Sequence, residues 1–412
     1  MKEDKCPVFV FNCHFNGLAL IQELGRKGIP VYALDTNRSI GTRSKYAEYI
    51  KVTDPLINEN EFIEQLIELA KKTNNKPLLL PTNDQWSEAI SRHKVRLSEF
   101  CVVSGSDISA IELILDKERF ASWCSDNEYP VPKVFDIEAV LSGETIINYP
   151  VALKANSRRK SGLNESGAAW AKTADKLRFN ICNSEEDIRK LNELAKKNGV
   201  PIYLQELVSG RSNAMRTIGV FANKGKVKGI IYGHKLRGFP AQHGDCIVGE
   251  AYPVPDWARE LVVSMCEKLE YTGIAEFELM QDSVTKENLI IEINPRSWSW
   301  VGIGPACGVS LGWLAYKELV HGEDQQAITE SCADGQPVIF TKILEDLLNT
   351  LIFYRLEGTK DWSGGPIKWW GKYKNKKIVY AGYSWDEPRV AFYTTLLGFK
   401  RFLSGIKQLV KK

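Results

Sequence analysis

The sequence predicts a protein of α/β and α+β class, with a doubly wound parallel sheet at its start and antiparallel sheets after it. Three observations lead there. Residues 8 to about 105 alternate short apolar runs with helical periodicity, as parallel sheets with crossover helices do. Residues 216 to 294 carry strand patterns joined by turn residues, as antiparallel sheets do. The chain has 412 residues, 44% hydrophobic and 25% charged, which suffices for two or three packed cores and argues against wholesale disorder.

Val8–Phe11 reads as the first strand, Gly17–Gly28 as a helix through Leu18, Ile21 and Leu24, and Ile29–Leu34 as the second strand, ending at Asp35. Glu61–Lys72 is an amphipathic helix and Pro77–Leu80 another buried strand. In such sheets ligands bind beyond the carboxyl ends of the strands, which places Asn12, His14, Asn16, Asp35, Asn83 and Asp84 at a candidate cleft. The turn from Asn12 to Gly17 has one glycine where a dinucleotide pyrophosphate needs three, so a nicotinamide site is excluded.

Asp116-Lys117 opens a helix that Tyr129-Pro130-Val131-Pro132 closes. Tyr149–Ala155 is a strand carrying one inward lysine, Lys154, and a polar, basic loop follows from Asn156 to Gly167. A strand is expected near Leu177–Ile181, a helix N-cap at Ser184, and a strand at Tyr203–Val208. Arg216–Ala222 and Val227–Gly233 form a hairpin about Asn223–Lys226, after which His234-Lys235-Leu236-Arg237 puts Lys235 and Arg237 on one side. Trp257–Tyr271 is a helix. Residues 331–412 are rich in aromatics and end in a basic helix from Arg389. Apolar residues occur all round that helix from Val390 on, which favours packing against the body over an anionic membrane surface.

Several function classes drop out. Lys plus Arg (54) nearly cancel Asp plus Glu (51), so no chain-wide nucleic-acid footprint is expected. No apolar run approaches the roughly 18 residues of a transmembrane segment, and the first residues do not read as a signal peptide. Nine scattered cysteines, with no C-x-x-C pair, predict a reduced, cytoplasmic protein. Five histidines with no H-x-x-x-H disfavour a histidine-bound transition metal.

The chemistry concentrates in Gly273–Glu278 and Leu289–Arg296. Alternation puts Glu276 and Glu278 on one strand face, and Glu292 and Asn294 on one face of the next. If the two strands pair, carboxylates and an amide oxygen converge, and a hard divalent cation relieves their repulsion. Oxygen-only ligation favours Mg²⁺ or Mn²⁺. A solvated acidic face is the ordinary reading of an E-x-E strand. Here Pro295 breaks the second strand just after Asn294 and Arg296 follows, which an exposed strand does not need.

This segment resembles the metal-binding hairpin of the ATP-grasp superfamily. The resemblance implies an ATP-grasp fold: an N-terminal α/β domain over residues 1–110, a lid subdomain with its preceding helix over 111–205, a larger subdomain with the metal site over 206–330, and an aromatic, basic extension over 331–412. It implies that Lys117 and Lys154 contact ATP phosphates, that Gln205, Glu206, Leu207 and Val208 face the adenine, and that Glu276, Glu292 and Asn294 bind the metal. Arg296 matches the arginine that holds a phosphorylated carboxylate, with Lys235 and Arg237 beside it. Asn12, His14, Asn16, Asn83 and Asp84 would line the substrate pocket. The lid loop Ser157–Gly162 is less glycine-rich than the commonest version, and the Gln281–Asn288 turn is long.

Within the superfamily the chain is most similar to carboxylate–amine ligases related to D-aspartate ligase, on Pro81-Thr82-Asn83-Asp84 and Trp385-Asp386-Glu387-Pro388. That implies ATP-dependent amide formation between small-molecule carboxylate and amine substrates, amino acids or short peptides, with a homodimer as the default assembly. The alternatives are phosphoryl transfer or carboxylation without an amide product, and a nucleotide-binding interaction protein without turnover.

Overall fold

Short apolar strands separated by amphipathic helices pack as a parallel sheet, because a crossover helix returns the chain to the same edge. The computed structural model describes residues 5–156, 166–209, 214–241, 244–356, 371, 373 and 375–410. The lid loop Ser157–Gly162 lies outside the described residues. The first sheet holds β1 (Val8–Phe11), β2 (Val31–Asp35), β3 (Ala47–Lys51), β4 (Leu78–Leu80) and β5 (Val102–Val103), in the order β3-β2-β1-β4-β5, all parallel. Strand order reverses at β1, so the loops leaving β1 and β4 part and open a crevice at their carboxyl ends. Asp35, expected at that cleft, is not in it. Its buried carboxylate accepts the Cys13 N–H at 2.8 Å and the Ser39 hydroxyl at 2.7 Å, and so fastens the turn after β1.

The second sheet is antiparallel: β6 (Val134–Phe135), β7 (Val151–Ala155), β8 (Asn180–Cys182) and β9 (Ile202–Glu206), in the order β6-β9-β7-β8. Helices Ser166–Lys176 and Glu185–Lys197 cover one face, and Ser184 caps the latter by accepting the Asp187 N–H. Leu177, expected to start a strand, is instead a buried core residue just past a helix end, and the strand begins at Asn180.

The largest sheet runs β14-β13-β10-β11-β12-β16-β17, with β15 paired beside β11. Its strands are β10 (Met215–Asn223), β11 (Lys226–Phe239), β12 (Asp245–Tyr252), β13 (Gly273–Gln281), β14 (Asn288–Asn294), β15 (Thr329–Glu330), β16 (Val338–Thr341) and β17 (Lys377–Tyr380). One face, with Ile218, Val220, Phe277 and Ile293, is buried under helix Asp256–Lys268. On the other face Trp298 and Trp300 press onto the strands and join them to the N-terminal core of Val8, Val10 and Leu20. The approach is so close that a Cβ on Gly219 would lie 1.9 Å from the Trp298 ring, and one on Gly233 2.8 Å from the Trp300 ring. These positions require glycine for space.

Two strands of the 331–412 segment, β16 and β17, extend this same sheet, β16 pairing antiparallel with β12. The chain then returns to the N-terminal domain. Asp386 binds Arg26 (3.0 Å) and the Tyr46 hydroxyl (2.5 Å). Glu387, 2% exposed, accepts from Gln22, the Ser44 hydroxyl and the Lys45 N–H. The final helix, Pro388–Val410, packs through Val390, Thr394 and Phe402, while Phe392, Leu396, Phe399 and Leu403 stay exposed. The expected packing against the body therefore holds for one face of the helix only. No helix among the described residues is long and apolar enough to cross a membrane, and all nine cysteines are buried and free.

Replacing Glu387 with alanine leaves the buried Ser44 hydroxyl and the Lys45 N–H without their acceptor. The expected loss is about 2–4 kcal/mol, read from the urea midpoint at constant m-value. A shift below 0.5 kcal/mol, roughly that of a surface substitution, would show that this contact does not hold the chain end.

Candidate active site

A cavity of about 440 Å³ lies between the second and third sheets. Apolar walls (Ala152, Phe179, Ile181, Leu207, Met280, Ile291) suit a flat ring at one end, and Lys117, Lys154, Glu278, Glu292 and Arg296 supply charge. Gln205, Glu206 and Val208 also line it, so all six residues expected at a nucleotide are present together. Asp116 caps helix Lys117–Asp126, and Asn156, at the end of β7, accepts the Lys117 N–H at 2.8 Å. That fixes Lys117, whose ammonium bonds to Glu292. Lys154 points inward from β7 and donates to Gln205 Oε1 at 2.7 Å. Burial, and then the neighbouring Lys117 charge, push its ammonium down to about 7 against the pull of Glu292 and Glu278.

The pairing of β13 with β14 sets Glu276 directly across from Asn294, and Glu278 across from Glu292. The Asn294 amide bridges Glu276 Oε2 (3.1 Å) and Glu278 Oε1 (3.2 Å). Burial and the Glu278 charge hold the Glu276 carboxyl well above the ordinary carboxylate range, with Arg296 and Lys235 opposing. Glu278 and Glu292 both line the nucleotide-sized cavity, whereas Glu276 faces the neighbouring one. Two acids, Glu278 and Glu292, therefore stand together at the nucleotide-sized cavity, with the Asn294 amide against Glu278. Glu276, expected at the metal together with Glu292 and Asn294, lies one step further along the same strand face and contacts Asn294.

The neighbouring cavity, about 610 Å³, shares Arg178, Lys235, Asp245, Glu278 and Arg296 with the first. Asn12, His14, Asn16, Asn83 and Asp84 all line it, from the tips of β1 and β4. Some are committed to structure: Asn16 donates to Thr82 O (2.7 Å), and Asn83 caps helix Asp84–Arg92 by accepting the Gln85 N–H (2.9 Å). Arg296 donates to Asp84 at 3.0 Å and stands 3.6 Å from Glu276, clasping the N-terminal domain to the large sheet. Lys235, 8% exposed, donates to Gly244 O at 2.7 Å.

No family model matches the sequence. D-aspartate ligase of Enterococcus faecium is 29% identical over 255 residues, spanning 57% of this chain and 58% of that protein, so the matched region is little more than half the relative's length. Among solved structures, the MgADP- and bicarbonate-bound biotin carboxylase domain of Hydrogenobacter thermophilus 2-oxoglutarate carboxylase superposes with a TM-score of 0.57 at 20% identity, covering 78% of this chain and 71% of that one. L-amino acid ligase of Bacillus licheniformis superposes with a TM-score of 0.55 at 13% identity, covering 77% and 75%. The chain has the ATP-grasp fold.

The ATP-grasp arrangement does not bring every expected residue to the site. Lys235 pairs with Gly249 and Arg237 with Val248, so Leu236 is an extra residue that inverts the alternation. Arg237 therefore points away from Lys235, lines neither cavity and is ion-paired with buried Asp346. Conversely, Glu278, Arg178, Asp245 and Lys342 line the two cavities without having been singled out as site residues. Glu278 was legible as the second acid of the E-x-E strand. Lys342 had no local signal.

If phosphate oxygens come against Lys154 they will favour its ammonium, and nucleotide binding is then expected to take up a proton. Affinity is expected to be highest below pH 7 and to weaken as pH rises through about 7. Calorimetry of MgADP binding in buffers of different ionisation enthalpy checks this. Lys154→Met should abolish the proton uptake and weaken binding at least about tenfold; unchanged binding would remove Lys154 from the phosphate site.

Proposed function

We propose that the protein is an ATP-dependent ligase joining a small-molecule carboxylate to an amine, with ADP and phosphate as products. The observation that carries this is the juncture of the two cavities: one of a size and lining to suit a nucleotide, one polar with both charge signs, meeting at Arg178, Lys235, Asp245, Glu278 and Arg296. The similarity to D-aspartate ligase supports the reading.

Glu278, Glu292 and Asn294 would hold Mg²⁺, which when bound neutralises the β- and γ-phosphates. Lys117 is then released from Glu292 and, with Lys154, is free to hold phosphate oxygens. The substrate carboxylate, positioned by Arg296 and Lys235, attacks the γ-phosphorus in line and forms an acyl phosphate while ADP leaves. The amine attacks the acyl carbon, phosphate departs with the C–O bond electrons, and the amine's proton is lost as the amide forms. Arg296 and Lys235 steady the anionic charge through both steps. No side-chain nucleophile is required. The substrates we propose are amino acids or short peptides.

ADP and phosphate release from MgATP across paired panels of acids and amines, with mass detection of a condensed product, tests the reading. Release with one acid alone and no condensed mass would point to phosphoryl transfer or carboxylation instead. Glu278→Gln and Glu292→Gln should each lower kcat at least about 100-fold with the fold intact by circular dichroism. Glu276→Gln should act chiefly on the KM of the acid or amine. If Glu276→Gln abolishes metal-dependent nucleotide binding and Glu278→Gln does not, the metal ligands are wrongly assigned.

A further inference from the structure

The last helix, Pro388–Val410, has one face that the body holds and one that it leaves to solvent. On the held face Val390 and Thr394 are buried, and Arg401 donates to Glu345 at 2.8 Å and to Asn349 at 2.5 Å. Phe392, Leu396, Phe399, Leu403 and Ile406 fall alternately four and three residues apart, which sets them in one stripe along the opposite side. All five are exposed, Phe392 by 72% and Phe399 by 56%. Single exposed apolar residues are ordinary, but a continuous stripe over about four helical turns marks a surface that something covers. The charge of the helix says what. From Arg389 to Lys412 the sequence carries Arg389, Lys400, Arg401, Lys407, Lys411 and Lys412, and neither Asp nor Glu. Arg389, three residues before Phe392, and Lys400, four after Leu396, are exposed on the flank of the stripe. Trp385, fully exposed, stands just ahead of the helix. A second copy of this helix would set one basic face against another with no acid between them, which disfavours self-pairing.

We propose that helix Pro388–Val410 seats the protein flat on an anionic lipid surface. The apolar stripe enters the boundary between headgroups and acyl chains, while the basic flank stays with the lipid phosphates. Lysine and arginine suit that flank because their stems are apolar and their charged heads reach outward. The helix does not have to leave the body to dock: Asp386 and Glu387 fasten its start to the N-terminal domain, and Arg401 fastens its held face to Glu345. Nor does it cross the bilayer, since the stripe is one-sided and the opposite face is committed to protein. Phe15, Lys342 and Glu345 wall both the 610 Å³ cavity and a smaller one beneath this helix, so docking sets the second cavity next to the lipid. The proposal goes beyond the ligase reading and stands without it.

The test is co-sedimentation of the 412-residue chain with vesicles of phosphatidylcholine alone, and of phosphatidylcholine mixed equally with phosphatidylglycerol. Binding to the anionic vesicles should be at least about tenfold tighter than to the neutral ones, and should weaken at least about tenfold between about 50 and about 500 mM salt. The double variant Phe399→Glu, Leu403→Glu should lose at least about tenfold on anionic vesicles. Lys400→Gln should lose about fivefold, the measure of one basic residue near such a surface. These side chains are exposed, so the variants should melt with the wild type; if one does not, the lipid and salt dependence of the wild-type chain decides alone. The proposal is overturned if the wild-type chain binds neither vesicle, or if it binds both alike. It is equally overturned if the double variant, melting like wild type, binds as tightly as wild type. A dimer in sedimentation equilibrium without lipid, abolished by the same double substitution, would assign the stripe to a second copy and overturn it.

Discussion

Like charges placed directly across two strands repel, and the register of β13 against β14 does this with Glu278 and Glu292. Glu276 adds a third carboxylate one step along the same face. The surroundings answer that repulsion from several sides: Lys117 from the helix before the second sheet, Arg296 from the break after β14, and the Asn294 amide between two of the acids. Lys117 comes from far along the chain, whereas Asn294 and Arg296 both come from the end of β14, where Arg296 reaches on to Asp84 of the first domain. Relieving this one electrostatic conflict therefore also gathers the domains around a common point.

Arg296 shows how local and global structure combine. Pro295 ends β14, and the chain turns so that the Arg296 guanidinium meets Asp84 at the N-terminus of a helix in the first domain. The Pro295 carbonyl itself accepts the Ser87 hydroxyl of that helix at 2.8 Å. Two residues on, Trp298 begins the slab that welds the large sheet to the N-terminal core. Chemistry and domain packing thus share a stretch of about five residues, and a change there alters both.

Much of this was legible beforehand because it depends on alternation and on topology. The strand period alone aligned Glu276 with Glu278 and Glu292 with Asn294. The reversal of strand order at β1 put Asn12, His14, Asn16, Asn83 and Asp84 in one cavity. Alternation fails where it is interrupted. The bulge at Leu236 turns Arg237 from the cleft toward Asp346, and no periodic pattern announces an inserted residue. Nor can a shared face say which of two acids lines which cavity, since that depends on the position of the cavity along the strand. Lys342 reaches the site only because β16 pairs with β12, a contact across some ninety residues. Asp35 fits the pattern of a ligand residue but answers to the backbone of the adjoining turn.

The return of the chain end to the N-terminal domain through Asp386 and Glu387 has a bearing on how the protein is made. Among the described residues, those lining the 440 Å³ cavity all lie at or before Arg296, whereas the 610 Å³ cavity is also lined by Lys342 and Glu345, and the clasp needs residues 386 and 387. Translation delivers these parts in that order. On the ribosome, the described residues of the first cavity are therefore all in hand before the later wall of the second can be added.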